Sequence, residues 1–288
     1  MPDLSSIFLL QSDPDDALWE FYHANTKLNA RRMPPSTANL PDPVRELNAH
    51  VRDTRIAEIE VAVGSGGKRY ATAEKVSLPG VFPLGFETPV AQVMQERRSR
   101  RAFASAQLTL EQMSALVRVA AGCNEHDLSE SPEVATATRF VPSGGALYPL
   151  EIYLLTTTPI MEDDQGQPAG AWHYDPRENC LERILVCKPE QISECFQSWP
   201  AEPPPMVVLI TGVPKRQSWK YGARGYRYAL LEAGHAAQNI LLAATAMQLH
   251  ACPVASFYDD ALHDLLDLDG ISEVALYTLF VGLPPASG

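Results

Sequence analysis

Three short stretches carry side chains whose types and spacing could do chemistry. Arg97-Arg98-Ser99-Arg100-Arg101 packs four arginines and a hydroxyl into five residues. Planar guanidinium forks match the oxygens of a phosphate, but the same run suits the solvated C-terminus of a helix, where cations meet the dipole. Charge alone leaves both open. The stretch Pro142-Ser143-Gly144-Gly145-Ala146-Leu147-Tyr148-Pro149 joins two glycines to an aromatic ring. Glycine lets the backbone approach a flat ligand and Tyr148 could stack on it, although Pro-Ser-Gly-Gly is also common turn chemistry. Lys220-Tyr221 sets an amine beside a phenol. Such a pair can act as general base and acid if burial lowers the lysine pKa, and at a surface it does neither.

Other chemistries are excluded by what their motifs require. Gly64 to Lys68 reads GSGGK, but Lys68 is followed by Arg69 and a strand-like stretch, whereas a phosphate loop needs GxxxxGK, then Ser or Thr, then a helix. GxSxG, HExxH and a GxGxxG after a strand are all missing, and the seven histidines have no ligand spacing, so no metal is expected. The formal net charge of −12, from 35 acidic and 23 basic residues, argues against nucleic acid or an anionic membrane as the main partner. An anionic ligand would need a local basic cluster. Five cysteines, an odd number without CxxC pairs, fit a reducing cytosol. The start lacks a basic segment before its short apolar run, and no apolar run approaches the roughly 18 residues that cross a bilayer. A soluble, cytoplasmic protein is expected.

These stretches must be positioned by regular elements. Tyr226 to Met247 is rich in Ala and Leu, holds one glycine and no proline, and predicts one buried helix. Ala229, Ala233, Ala236, Ile240, Ala244 and Met247 form a stripe of mostly small side chains at helical spacing, along which another helix could approach. Tyr228, Glu232, His235 and Asn239 form a polar stripe that needs partners, either one another and a loop or a cofactor or dimer site. A helix is also predicted from Thr88 as N-cap and Pro89 at its first position through Arg100, and another from the Thr109 cap with Gln112 three residues on to Gly122. Strands are expected at Glu151–Thr157, Met206–Gly212, Pro253–Phe257 and Val274–Val281. Trp172–Tyr174 and Leu181–Val186 should form a hairpin across DPREN. Short helices are expected over Pro189–Gln197 and Asp259–Leu266. Before these lie a helix over 13–33, a loop with four prolines over 34–43, and a hairpin from Ile56–Val63 to Tyr70–Val76. The polar stretch from Cys123 to Phe140 reads as a loop near a site entrance. The fold class is α+β, helices packed on a sheet.

The order of the motifs adds a resemblance. ERRSRRAF, PSGGALYP entering a strand, a WHYDPREN hairpin, KYGARGYRYALLEAGHAAQN and a closing strand ending VGLP together resemble the SagB-type dehydrogenases of the nitroreductase-like flavoproteins, over about Thr88 to Pro284. These enzymes oxidise thiazoline and oxazoline rings in ribosomal peptides. The resemblance implies FMN, a mostly antiparallel central sheet flanked by helices, and a homodimer whose interface holds the long helix and two flavins. It assigns Arg97, Arg98, Ser99 and Arg101 to the flavin phosphate. Pro142, Ser143, Gly144, Gly145 and Leu147 go to the turn that reaches the ring from the partner subunit, and Ala255 and Ser256 to backbone amides facing the flavin. It makes Lys220 and Tyr221 catalytic, and Ala229, Ala233, Ala236 and Ala244 the partner-facing stripe. Residues 1–84 would be an N-terminal extension whose HANTKL segment looks like the leading region of SagB-type chains, and 85–288 the FMN-binding domain. The implied substrate is an azoline on a peptide or carrier, with a cyclodehydratase or another biosynthetic protein as partner. Many nitroreductases place a further basic residue after the last strand, where this chain reads PPASG. An NAD(P)H-dependent nitro or quinone reductase and a non-catalytic subunit are the alternatives.

Overall fold

The structure, a computed structural model, describes residues 67–80, 82–83, 86–123, 138–162 and 165–286. The expected helix over 13–33, the loop over 34–43, the first arm of the leading hairpin and most of the polar stretch after Cys123 lie outside these residues. So does GSGGK apart from Gly67 and Lys68.

Two strands form the centre, and both are buried at every position: β2 (Leu150–Thr156) and β7 (Met206–Gly212). Because side chains alternate across a strand, each feeds two cores. Leu150, Ile152 and Leu154 join Met206, Val208 and Ile210 on one face, while Tyr153 and Leu155 join Val207 and Leu209 on the other. The sheet has seven strands in the order β1-β6-β5-β2-β7-β9-β8. Its remaining members are β1 (Lys75–Ser77), β5 (Gly170–Asp175), β6 (Cys180–Val186), β8 (His250–Val254) and β9 (Val274–Gly282). Every neighbouring pair is antiparallel. A small separate hairpin, β3 (Ile160–Glu162) with β4 (Gln165–Gln167), was not expected. The first face is covered by α2 (Leu110–Ala121) and α5 (Arg224–Ala246), the second by α3 (Pro189–Ser193) and α6 (Asp259–Leu266). The α+β class and the helix-flanked antiparallel sheet expected from the sequence are the fold observed.

Local signals fix some boundaries. In α2, Thr109 accepts from Gln112 N and donates its own N–H to Gln112 Oε1, the reciprocal cap the sequence predicts, and Gly122 closes the helix. Helix α1 (Val90–Glu96) departs from expectation: Pro89 takes the cap position and the helix stops before the arginines. Arg97 has an extended backbone, and the following residues run beside the sheet edge, with Arg100 N donating to Ala251 O at 2.9 Å and Ala104 N to Leu283 O at 2.9 Å. Strand β8 also starts earlier than predicted, so Ala255 and Ser256 follow it.

Helix α5, 23 residues and about 35 Å long, corrects one expectation. Ala229, Ala233, Ala236 and Ala244 do not face a partner. They are buried within their own chain, the last three packed with Leu116, Val117 and Ala120 of α2 and the sheet. Small side chains let the helix sit close to its own sheet. The exposed side of α5 carries Tyr226, Leu230 and Leu231, the last 57% exposed.

Candidate active site

A seven-residue helix that the sequence reading missed, α4 (Lys215–Tyr221), carries the Lys-Tyr pair at its end. Gly222, at φ 56°, ψ −145°, then turns the chain into α5. Opposite lies the glycine turn. Gly145 sits at φ 69°, Ala146 and Tyr148 also have positive φ, and Tyr148 N donates to Ser143 Oγ at 2.9 Å. A Cβ on Gly145 would lie 2.6 Å from Tyr221 OH and 2.9 Å from Lys220 Nζ. Glycine is therefore required twice there, for its backbone angle and for the approach of both functional groups. The Tyr221 ring meets Tyr228 edge-on at 5.0 Å. Pro142, Ser143 and Gly144 line a cleft of about 310 Å³ with Tyr228, Leu231, Glu232 and His235 of α5. The polar stripe of α5 thus meets the glycine turn, except for Asn239, which donates to Val119 O of α2 at 3.1 Å.

Behind the turn a buried ionic network holds α4 in place. Glu151, second residue of β2, accepts from Arg216 of α4 and lies 2.9 Å from His173 Nε2, while His173 Nδ1 lies 2.9 Å from Glu182 Oε2. Arg216 also donates to Tyr148 O at 3.2 Å, which ties α4 to the turn. Lys68 N donates to Glu151 Oε1 at 2.8 Å and Tyr70 N to Glu182 Oε2 at 3.1 Å. Burial alone would raise the Glu151 carboxyl, but the Arg216 charge and His173 override it and hold it down at about 2. Burial likewise opposes charge on His173, and the hydrogen bonds to Glu151 and Glu182 win, raising it to about 9. On the α5 side of the turn, Glu232 is buried, with Gln217 Nε2 3.4 Å from its Oε2. None of Glu151, His173, Arg216 or Gln217 was singled out in the sequence. The available signal was a charged residue inside an otherwise apolar strand, as in LEIYLLT.

The arginine segment lies at the other end of α5. Arg98 donates to Gln95 O at 2.8 Å and to Arg97 O at 2.7 Å, capping the end of α1. Arg98 and Arg100 line a cleft of about 490 Å³ with Thr245, Gln248 and His250. Burial raises the Cys252 thiol and the Arg101 charge draws it down, burial prevailing. Ala255 and Ser256 are exposed beside this edge, Ser256 O accepting from Gln197 N at 3.1 Å. One chain therefore brings Lys220 and Tyr221 onto Pro142, Ser143, Gly144 and Gly145, with Leu147 buried behind the turn. Arg97, Arg98, Ser99, Arg101, Ala255 and Ser256 stay apart. From Glu232 to Thr245 alone the rise along α5 is about 20 Å.

Among the described residues no group of three His, Cys, Asp or Glu side chains could hold a metal, and no helix is long and apolar enough to cross a membrane.

The central antiparallel sheet flanked by helices is a nitroreductase-like fold. A nitroreductase structure from Ralstonia eutropha aligns at a TM-score of 0.59, with 19% identity over 75% of this chain and 92% of its own. The Escherichia coli microcin synthetase McbBCD complex with truncated pro-MccB17 contains a chain that aligns at 0.57, with 22% identity over 95% of each. The chain belongs to the nitroreductase family, whose sequence pattern matches residues 94–283, and is accordingly an oxidoreductase by family. MJ1384 of Methanocaldococcus jannaschii, which also bears the nitroreductase name, is 32% identical over 72% of this chain and 96% of its own. The microcin B17-processing protein McbC of Escherichia coli is 29% identical over 53% of this chain and 57% of its own. The trifolitoxin-processing protein TfxB of Rhizobium leguminosarum is 26% identical over 49% and 38%. The chain thus spans little more than half the length of McbC and less of TfxB.

Proposed function

We propose that this chain is an FMN-dependent azoline dehydrogenase of SagB type, converting thiazoline or oxazoline rings of a peptide or carrier-bound intermediate to azoles. The observation that carries the reading is the convergence of Lys220 Nζ and Tyr221 OH on Gly145. Similarity to two peptide-processing proteins, McbC and TfxB, supports the substrate class. The residues fit a flavin: at Gly145 the backbone is bare beside an amine and a phenol, and the segment from Arg97 to Arg101 offers guanidinium groups for a phosphate. When bound, FMN supplies the two-electron acceptor for a hydride from the ring CH2, and dioxygen restores it. Lys220 or Tyr221 takes the acidic proton from the ring carbon beside the carbonyl, and the other holds the ring nitrogen or the newly protonated base by a hydrogen bond.

The chain works as a homodimer in this reading. The span between the glycine turn and the arginines exceeds the ribityl chain of one FMN, and a two-fold partner meeting the exposed Tyr226, Leu230 and Leu231 face would bring one chain's turn to the other's arginines. In a biosynthetic complex the enzyme that closes the azoline ring would be a further partner. The test is turnover of a thiazoline peptide by the FMN-loaded full chain, followed as loss of two hydrogens by mass spectrometry. Lys220→Ala and Tyr221→Phe should each lose turnover while keeping FMN, and full activity in both would refute the mechanism. A second reading, NAD(P)H-dependent nitro or quinone reduction, is favoured by the name MJ1384 bears. Rapid anaerobic bleaching of the flavin by NADPH would select it, and a chain that stays colourless with added FMN would point to a non-catalytic subunit.

A further inference from the structure

The GSGGK stretch that fails as a phosphate loop ends in Gly67-Lys68, and the structure gives these two residues another task. Residues 67–70 form neither helix nor strand, yet two of their backbone donors end on buried carboxylates of the network behind α4. Lys68 N donates to Glu151 Oε1 at 2.8 Å and Tyr70 N to Glu182 Oε2 at 3.1 Å. The side chains pin the same segment to the sheet. Lys68 Nζ donates to Glu273 Oε2 at 2.9 Å and to Tyr153 OH at 3.3 Å, Arg69 Nε lies 3.4 Å from Asp175 Oδ2, and the Tyr70 and Tyr153 hydroxyls are 3.3 Å apart. Gly67, at φ 124°, lies over Glu151: a Cβ there would be 3.5 Å from both carboxylate oxygens.

Glu151 thus takes a hydrogen bond from each of three elements: Lys68 in this segment, His173 on β5 and Arg216 on α4. A glutamate carboxylate turns readily about its terminal bond, and an ion pair weakens steeply where water enters. The Glu151–Arg216 contact therefore keeps one geometry only while its third donor and its cover stay in place. A cleft of about 470 Å³ lined by Gly67, Lys68, Val213 and Arg216 opens beside that contact, so lifting the segment lets water onto it. Arg216 in turn donates to Tyr148 O at 3.2 Å and stands one helical turn before Lys220.

We propose that Gly67 and Lys68 are positioning residues, which hold Glu151 on Arg216 and thereby hold α4, with Lys220 and Tyr221, against Gly145. The segment ahead of the first strand is then a working part of the site. The inference rests on the reading of Lys220 and Tyr221 as the catalytic pair.

The experiment compares the wild-type full chain with Lys68→Pro, which removes the N–H that Glu151 accepts. In the flavin-free protein, amide hydrogen exchange across Lys215–Tyr221 should speed up about tenfold, the effect of one lost hydrogen bond to a charged group. The rise should exceed that in β7, whose exchange follows global opening. In an Arg216→Gln background the same substitution should add nothing, because its route is already cut. In the FMN-loaded protein, kcat for a thiazoline peptide should fall about tenfold with KM unchanged. An α4 exchange rate that stays at the wild-type value, or rises no more than that of β7, overturns the proposal. Effects that add to those of Arg216→Gln refute the route through Glu151. Should Lys68→Pro fail to fold, Gly67→Ala decides: an alanine is strained at φ 124° and its methyl would sit on the carboxylate, so α4 exchange must rise, and an unmoved rate refutes the role. The exchange readout uses no azoline. Absent azoline turnover in the wild type with the exchange pattern intact would remove the proposed reaction and leave Gly67 and Lys68 in their role, and turnover with an unmoved α4 would do the reverse.

Discussion

Raising the pH from 6.5 to 9.5 should cost the fold about 3 kcal/mol through one side chain, His173. The imidazole is fully buried, with Glu182 2.9 Å from Nδ1 and Glu151 2.9 Å from Nε2. The two carboxylates hold its proton to about 9 against an unfolded value of 6.5. At about 1.4 kcal/mol per pH unit that difference is worth about 3 kcal/mol. The folded value is raised, so the contribution is complete below pH 6.5 and drains away as pH rises through 9. A neutral imidazole donates from one nitrogen only, so one carboxylate then loses its donor. Glu151 adds no slope in this window, because Arg216 and His173 hold it at about 2 and its own contribution falls only in acid. The assay is urea unfolding of the wild type and His173→Gln at pH 6.5, 8 and 9.5. With a slope of about 3 kcal/mol/M, a loss of about 3 kcal/mol moves the midpoint by about 1 M. Lysines, tyrosines and cysteines common to both proteins cancel in the comparison. The stability gap between the two proteins should therefore close with rising pH, and a gap that stays constant would refute the assignment of a buried imidazolium.

Gly145→Ala places a methyl 2.6 Å from Tyr221 OH on a backbone at φ 69°, so turnover of the loaded enzyme should collapse for about 1–2 kcal/mol of stability. Gly144→Ala meets Tyr228 Cδ2 at 3.3 Å and Gln217 Nε2 at 3.7 Å, no closer, and should retain more activity in the same assay. Thr109→Ala removes the reciprocal cap of α2 and should cost about 1 kcal/mol, read as a Tm lower by about 2–4 °C. In the proposed homodimer, Leu231→Glu, on the exposed side of α5, should leave circular dichroism unchanged and shift the light-scattering mass from dimer to monomer.

How far the sequence disclosed this depends on the range of the interaction that decides each feature. The α2 boundaries were legible because Thr109, Gln112 and Gly122 fix them within one turn. Strand β7 was legible as an unbroken apolar run, and α6 as a short helix between two apolar strands. The end of α1 was not: arginine propagates a helix well, and what stops it is Arg100 pairing with Ala251, far away in sequence. Periodicity identified the small face of α5 but could not say whether the neighbour was the same chain or another, and the neighbour is α2 and the sheet. Helix α4 is only seven residues, too short for a periodic signal, so Arg216 and Gln217 went unnoticed. His173 and Glu151 were visible as polar residues in buried strands. Their meeting is set by register, which places His173 opposite Tyr153 on β2 and Glu182 on β6.

Two buried carboxylates bracket α4, and their environments drive them apart. Glu151 meets Arg216 and stays ionised, whereas Glu232 meets Gln217, the next residue along α4, and holds its proton to about 7. Such a divided pair can hand a static role to one group and a titrating role to the other. Arg216 also grips Tyr148 O, so the Glu151 contact secures the far end of the glycine turn at every physiological pH. The two should therefore separate experimentally. Glu151→Gln leaves Arg216 and His173 with a neutral partner and should weaken FMN binding by a similar factor at pH 6 and pH 8. Glu232→Gln removes the carboxyl that burial raises to about 7, so any change in FMN binding that its titration imposes between pH 6 and pH 8 should vanish. If Glu151→Gln instead changed the pH dependence and Glu232→Gln did not, the static and titrating roles would have to be exchanged, and with them the account of how α4 presents Lys220 and Tyr221 to Gly145.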